Sequence, residues 1–193
     1  MAFTFVTDPN TFLSPSDRTA DAIGWDRFPD RLPLDFRGGP TFRGKTDRSA
    51  RDYEIAIKGS HLARRTQDGG PSWAGSFAEG EALLFTDFSP GPLQFLFAQP
   101  IRGAGTQVNI KDPVEHVTFG ISAFAGGARV EVPGGGTVPG SVGNRGDGSA
   151  SFLGIMGDPG TAAITRVVFF LTVLDHGYRG DGSFAINALR LAL

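Results

Sequence analysis

The chain has 193 residues, 40% of them hydrophobic, a formal net charge of −2 and no cysteine. That is enough apolar material for one core, and it excludes a wholly disordered chain, a disulfide framework and thiolate metal sites. A pI near 5.9 leaves no electrostatic footprint for nucleic acid, and no apolar run approaches the roughly 18 residues of a membrane helix.

The chain opens with "MAFTFVTDPN", which has no basic stretch leading into an apolar one, so no signal peptide is read there. The expectation is either a cytoplasmic protein or a chain freed of its leader, which would place it outside the cell or on its surface. Residues 1–50 mix Asp, Arg and Pro with isolated Trp25, Phe28 and Phe36. They read as an irregular N-terminal arm with at most a short edge strand, pinned by those aromatics to a sandwich spanning 51–193. The whole is one domain.

From residue 52 the pattern changes. "DYEIAIKG" sets Tyr53, Ile55 and Ile57 against Glu54 and Lys58, the alternation of a half-buried strand. "KGSHLARRTQDGGPSW" reads as a polar loop holding His61, Arg64 and Arg65 and ending at Trp73. "LQFLFAQP" alternates Leu93, Phe95 and Phe97 and is expected to stop at Pro100. "HVTFGISAFA" puts Val117, Phe119 and Ile121 on one face, and "ARVEVPG" adds Val130 and Val132. "ITRVVFFLTVLD" is apolar on both parities, as in a central strand buried on two sides.

The run Arg-Gly-Asp-Gly-Ser occurs twice, at 145–149 and 179–183, each time before an apolar segment. Both copies read as loops in which glycine supplies positive φ, and not as an adhesion signal. In the closing segment Phe184 and Ile186 share one parity while Leu189, Leu191 and Leu193 share the other. That switch predicts a β-bulge near Asn187 or Ala188. With 28 glycines and 13 prolines as punctuation, the fold class is all-β: an antiparallel, jelly-roll-like sandwich of about eight to ten strands.

In order along the chain, "EALLFTDFSPGPLQFLFAQPIRGAGTQV", "VTFGISAF", "GSASFLGIMG", "AITRVVFF" and "GSFAINALRLAL" resemble the β-sandwich domain of exported bacterial proteins of the PEP-CTERM type. The resemblance covers roughly residues 70 to 193. It implies a jelly roll of the carbohydrate-binding-module kind, secreted or surface-held, and often built around a structural Ca²⁺. Among the loop oxygens of this sequence, Asp147, Asp181 and Asn187 are the candidate metal ligands.

The candidate ligand-binding residues fall in two groups. His61, Arg64 and Arg65 with Trp73 combine charge-assisted hydrogen bonds with a flat aromatic, as a sugar or anionic ligand requires. Asp175, His176 and Tyr178 in "LDHGYRGD" follow the apolar strand. The reading is a module binding carbohydrate or another extracellular polymer. Two alternatives stand beside it. One is an enzyme on the same scaffold, a lyase, cyclase or hydrolase with a histidine or carboxylate as acid or base. The other is an assembly subunit, a homo-oligomer whose arm and Trp25 lie on a neighbouring chain.

Overall fold

The computed structural model describes residues 2–13, 20–30, 41–57, 61–69, 75–87, 89, 91–110, 117–133, 136–139, 146–173 and 182–193. In chain order the elements are β1 (Phe3–Val6), helix α1 (Pro9–Phe12), β2 (Ala20–Ile23), β3 (Thr41–Lys45), β4 (Asp52–Ile57), β5 (His61–Thr66), β6 (Ala82–Asp87) and β7 (Leu93–Ile101). They continue with β8 (Gly103–Ile110), β9 (Val117–Ala125), β10 (Ala128–Arg129), β11 (Thr137–Pro139), β12 (Ser151–Gly157), β13 (Ile164–Val173), β14 (Phe184–Ile186) and β15 (Leu189–Ala192). No helix among the described residues is long and apolar enough to cross a membrane.

The fold is the expected all-β antiparallel sandwich. One sheet, A, runs β1-β12-β8-β14-β6-β5, with β15 beside β8 and β2 beside β15. The other, B, runs β10-β9-β13-β7-β4-β3, with β11 beside β9. Between them lies one large apolar cluster. It takes Ile55, Phe95, Phe119 and Phe169 from sheet B and Leu84, Val108, Ile155 and Leu191 from sheet A. The alternations at 53–57, 93–97 and 117–121 thus face the core as predicted.

Several expectations need correction. The described parts of the first fifty residues contribute three strands to the two sheets, where an irregular arm with at most a short edge strand was expected: β1 pairs with β12, β2 with β15 and β3 with β4. These strands are only four or five residues long, and β2 buries Asp21 on the same side as Ile23, so no clean alternation stands out in sequence. A hairpin bridges residue 50, where the arm was expected to end. Trp25 is 1% exposed and sits inside its own chain's core, where the assembly reading had put it on a neighbour. Phe28 packs edge-on against Phe42, 5.3 Å between ring centres, and Phe36 lies outside the described residues. The segment 61–66, expected as a loop, is edge strand β5, paired in continuous register with β6. Pro100 lies inside β7, where the pairing with β13 slips from Ile164↔Ile101 to Arg166↔Leu96, so an irregular ladder tolerates the missing N–H. Strand β13 is central, but only one of its faces is buried: Val167, Phe169 and Leu171 are enclosed, while Val168 and Phe170 are half-exposed.

The predicted bulge is present. β14 pairs Ile186 with Val108, and β15 pairs Arg190 with Gly105, so three residues (187–189) oppose two (106 and 107) on β8. Asn187, 6% exposed, fills the gap. Its Oδ1 accepts from the Gln107 amide and the Thr106 hydroxyl, each at 3.0 Å. Its Nδ2 donates to Gln107 Oε1 at 2.8 Å and Glu81 Oε1 at 3.1 Å. Its carbonyl accepts the Trp25 indole N–H at 3.0 Å. The bulge flips side-chain parity, so Ile186 before it and Leu189 after it both reach the core.

A second polar clasp ties β2 of sheet A to the β3–β4 turn of sheet B. The Asp21 carboxylate, 5% exposed, accepts from the amides of Ala22, Arg48 and Ser49 and from the Ser49 hydroxyl. Burial pushes its pKa up. Hydrogen bonds from Ser49, Thr46, Arg48 and Ala22 outweigh that and hold it below the ordinary value.

Two outcomes are expected. Asn187→Ala strands the Gln107 amide and removes the donor that Gln107 Oε1 and Glu81 Oε1 share, while the Thr106 hydroxyl keeps the residue-187 carbonyl; it should cost about 1–3 kcal/mol in urea unfolding, and a loss under about 0.5 kcal/mol would remove Asn187 as the seal of the bulge. For Asp21, the folded pKa lies below the unfolded value of about 3.9. Its stabilisation is therefore complete well above that value and disappears as pH falls through the folded pKa. Unfolding free energy measured from pH 6 down to pH 2 (roughly the span over which carboxylates titrate) should fall less steeply in Asp21→Asn than in the parent.

Candidate functional site

The two sheets differ in what covers their outer faces. On sheet A, Ala63, Leu83, Phe85 and Ala185 form a second apolar cluster with Phe77 and Ala150. Those two come from segments 75–81 and 146–150, joined by Gly146 N–H to Gly75 O and Ala150 N–H to Ser76 O bonds. Helix α1 covers another part, with Phe12 5.5 Å from Phe152. Among the described residues, sheet B enters the central cluster only, and its outer face carries no second layer.

That open face is partly apolar. Strand register places six residues in one row across it: Arg43 opposite Glu54, Glu54 opposite Leu96, Leu96 opposite Arg166, Arg166 opposite Phe124, and Phe124 opposite Arg129. Six strands about 4.8 Å apart make this row about 24 Å long. Its neighbours on each strand, at odd positions such as Ile55, Phe95 and Val167, point into the core.

At the β3 end the row crosses a trough of about 530 Å³, lined by Arg43, Lys45, Asp52, Glu54, Leu96 and Ala98 with Tyr53 and Phe97 below. Arg43 Nε meets Glu54 Oε2 at 2.9 Å, and Lys45 Nζ meets Asp52 Oδ1 at 2.8 Å. Leu96 is 36% exposed. Burial raises the Tyr53 pKa even though Arg27, 2.7 Å from the phenol oxygen, acts in the opposite direction; Asp47 adds to the rise. The phenol therefore remains neutral at physiological pH.

Toward the other end, the Arg166 guanidinium lies over the Phe124 ring, 3.8 Å from its centre. Further along β13, the far edge of the Phe170 ring occupies the space a Cβ on Gly120 would need. The glycine therefore lets an aromatic ring lie close against the open face.

Of the residues singled out from sequence, His61, Arg64 and Arg65 lie on β5 of sheet A. His61 begins β5 at an exposed position opposite Asp87. Arg64 and Arg65 point to opposite faces of that strand. Arg64 pairs with Asp30 at 2.9 Å and donates to Thr66, whereas Arg65 lies over Phe85, 5.2 Å from the ring centre. The strand geometry therefore separates the expected Arg64–Arg65 platform. Trp73, Asp175, His176, Tyr178 and Asp181 lie outside the described residues. In the first Arg-Gly-Asp run, Gly146 and Gly148 take φ of 61° and 75°, and Asp147 Oδ1 accepts the Ser149 amide at 3.0 Å in a local turn. In the second, Gly182 has φ of 73°, and Gly180 is outside the described residues.

Of the candidate calcium ligands, Asn187 presents its side-chain oxygen to two protein donors within the bulge, Asp147 Oδ1 serves the Ser149 amide, and Asp181 lies outside the described residues.

No protein-family model matches the chain, and no curated protein does. Among solved structures, the chain is similar to CBM86, a low-affinity xylan-binding module from the gut symbiont Roseburia intestinalis. The two are 13% identical with a TM-score of 0.32, over 67% of this chain and 93% of that one.

Gly120→Val should displace the Phe170 ring and cost about 1–3 kcal/mol by overpacking. In a Phe170→Ala background the same change should be near neutral, because valine otherwise suits a strand. Equal costs in both backgrounds, measured by chemical unfolding, would show that the ring does not depend on the glycine.

Proposed function

We propose that this protein is a ligand-binding module that takes a carbohydrate polymer along the outer face of sheet B. The observation that carries this reading is the row from Arg43 to Arg129 on a sheet face with no second layer among the described residues. Leu96, Val168, Phe170 and Phe124 give it apolar area, which a face with no ligand has no reason to hold at its centre. The flanking Arg43–Glu54 and Lys45–Asp52 pairs offer donors and acceptors that sugar hydroxyls can share. Exposed pairs of this kind add little stability, about 0–1 kcal/mol, so their value lies in recognition. An open, shallow face also suits an extended polymer better than a small molecule, which is usually held in an enclosed pocket.

Trp73, Asp175, His176 and Tyr178 belong to the proposal as further ligand contacts. Affinity electrophoresis through gels holding xylan, mixed-linkage glucan, glucomannan or pectin tests the proposal. At least one polymer should retard the protein. Phe170→Ala or Leu96→Asp should weaken that retardation by about 1–3 kcal/mol, the scale of one anchor residue. If Trp73→Ala abolishes it while both face variants bind normally, the site is on the loops and the sheet-B assignment falls. Migration unchanged by every polymer would overturn the carbohydrate reading altogether.

A further inference from the structure

We infer that the ligand of this face is an acidic polysaccharide, whose carboxylates are read at the Arg166–Phe124–Arg129 end of the row. The inference rests on the carbohydrate reading above and adds the charge class of the polymer. The two ends of the row differ in how their charges are met. At the trough, both cations are neutralised: Arg43 by Glu54 and Lys45 by Asp52. At the other end, Arg166 and Arg129 stand on either side of Phe124. Neither has an ion-pair partner among the described residues. Glu131, two residues along from Arg129, shares a hollow of about 130 Å³ with Arg129, Ser122 and Val130.

Arg166 is also held. Its guanidinium lies over the Phe124 ring at 3.8 Å, a contact that fixes the plane of the group while its edge N–H donors remain available. A planar fork fixed in this way matches a carboxylate, which accepts two parallel N–H bonds. Strands β10 and β13 flank β9, so the two arginines lie about 9–10 Å apart, two strand spacings. A chain lying along the row would then set neutral rings over Leu96 and the trough and a carboxylate-bearing ring beside the Arg166 guanidinium, on the side toward Arg129.

The test is isothermal titration of the whole chain with polygalacturonate, alginate and glucuronoxylan, each beside its carboxyl-reduced counterpart, with dextran sulfate as a control for charge alone. At least one acidic polymer should bind about tenfold or more tighter than its reduced form, since a charge-assisted bond contributes on that scale. The preference should shrink as salt is raised. Arg166→Gln should bring the acidic and reduced forms within about twofold of each other by weakening the acidic form far more than the reduced one; the exposed Arg129→Gln should do so in part, at about threefold, as for a partly screened charge. Reduced polymers binding as tightly as acidic ones would overturn this inference and leave the carbohydrate reading standing. An acid preference that survives Arg166→Gln, or dextran sulfate binding as well as the best uronate polymer, would overturn it too. If no polymer binds in either form, both readings fall together.

Discussion

The fold turns on one extra residue. Without the bulge at Asn187 the last strand would keep a single parity, and either Phe184 and Ile186 or Leu189 and Leu191 would be turned out of the core. With it, one continuous segment supplies both β14 and β15, and β8 pairs with each in turn. The unpaired groups a bulge creates would be costly in an interior. Here the Asn187 side chain and carbonyl meet Thr106, Gln107, Glu81 and the Trp25 indole. The N-terminal region therefore docks on the same point that corrects the C-terminal strand, which is why residues 20–30 belong to the sandwich and are not an appendage.

The second constraint is asymmetry. Sheet A is enclosed: the inter-sheet core lies on one side, and the 75–81 and 146–150 segments with α1 on the other. Sheet B is enclosed on one side only among the described residues, yet it carries apolar side chains on both. Burial is thus concentrated between the sheets and behind sheet A, and the outer face of sheet B carries no second layer among the described residues. The Asp21 clasp joins the two regions by fastening the β3–β4 turn, at the edge of the open face, to β2 of the enclosed sheet.

Strand alternation was legible in the sequence wherever one face is purely apolar, as at Tyr53–Ile57 or Val117–Ile121, because burial on one side imposes a period of two. The bulge was legible for the same reason, as a change of parity between Ile186 and Leu189. Strand β5 was not. It is an edge strand whose inward and outward positions both include arginine, Arg64 held by Asp30 and Arg65 by Phe85. Asn187 looked like a metal ligand because an exposed loop asparagine and a buried bulge asparagine are the same letter. The row was beyond sequence reasoning altogether. Arg43, Leu96, Phe124 and Arg166 become neighbours through inter-strand register, and no local pattern records which residue of one distant strand will face which residue of another.

That row has an evolutionary consequence. Each of its six positions comes from a different strand, and on β4, β7, β9 and β13 each is the outward member of an alternating pair whose inward member lies in the core. Any one of them can change without disturbing the packing between the sheets, and none shares a turn or a loop with all the others. The face behaves as six independently replaceable characters on a fixed frame. Single substitutions along the row can thus change what the face presents, with the sandwich itself left as it is.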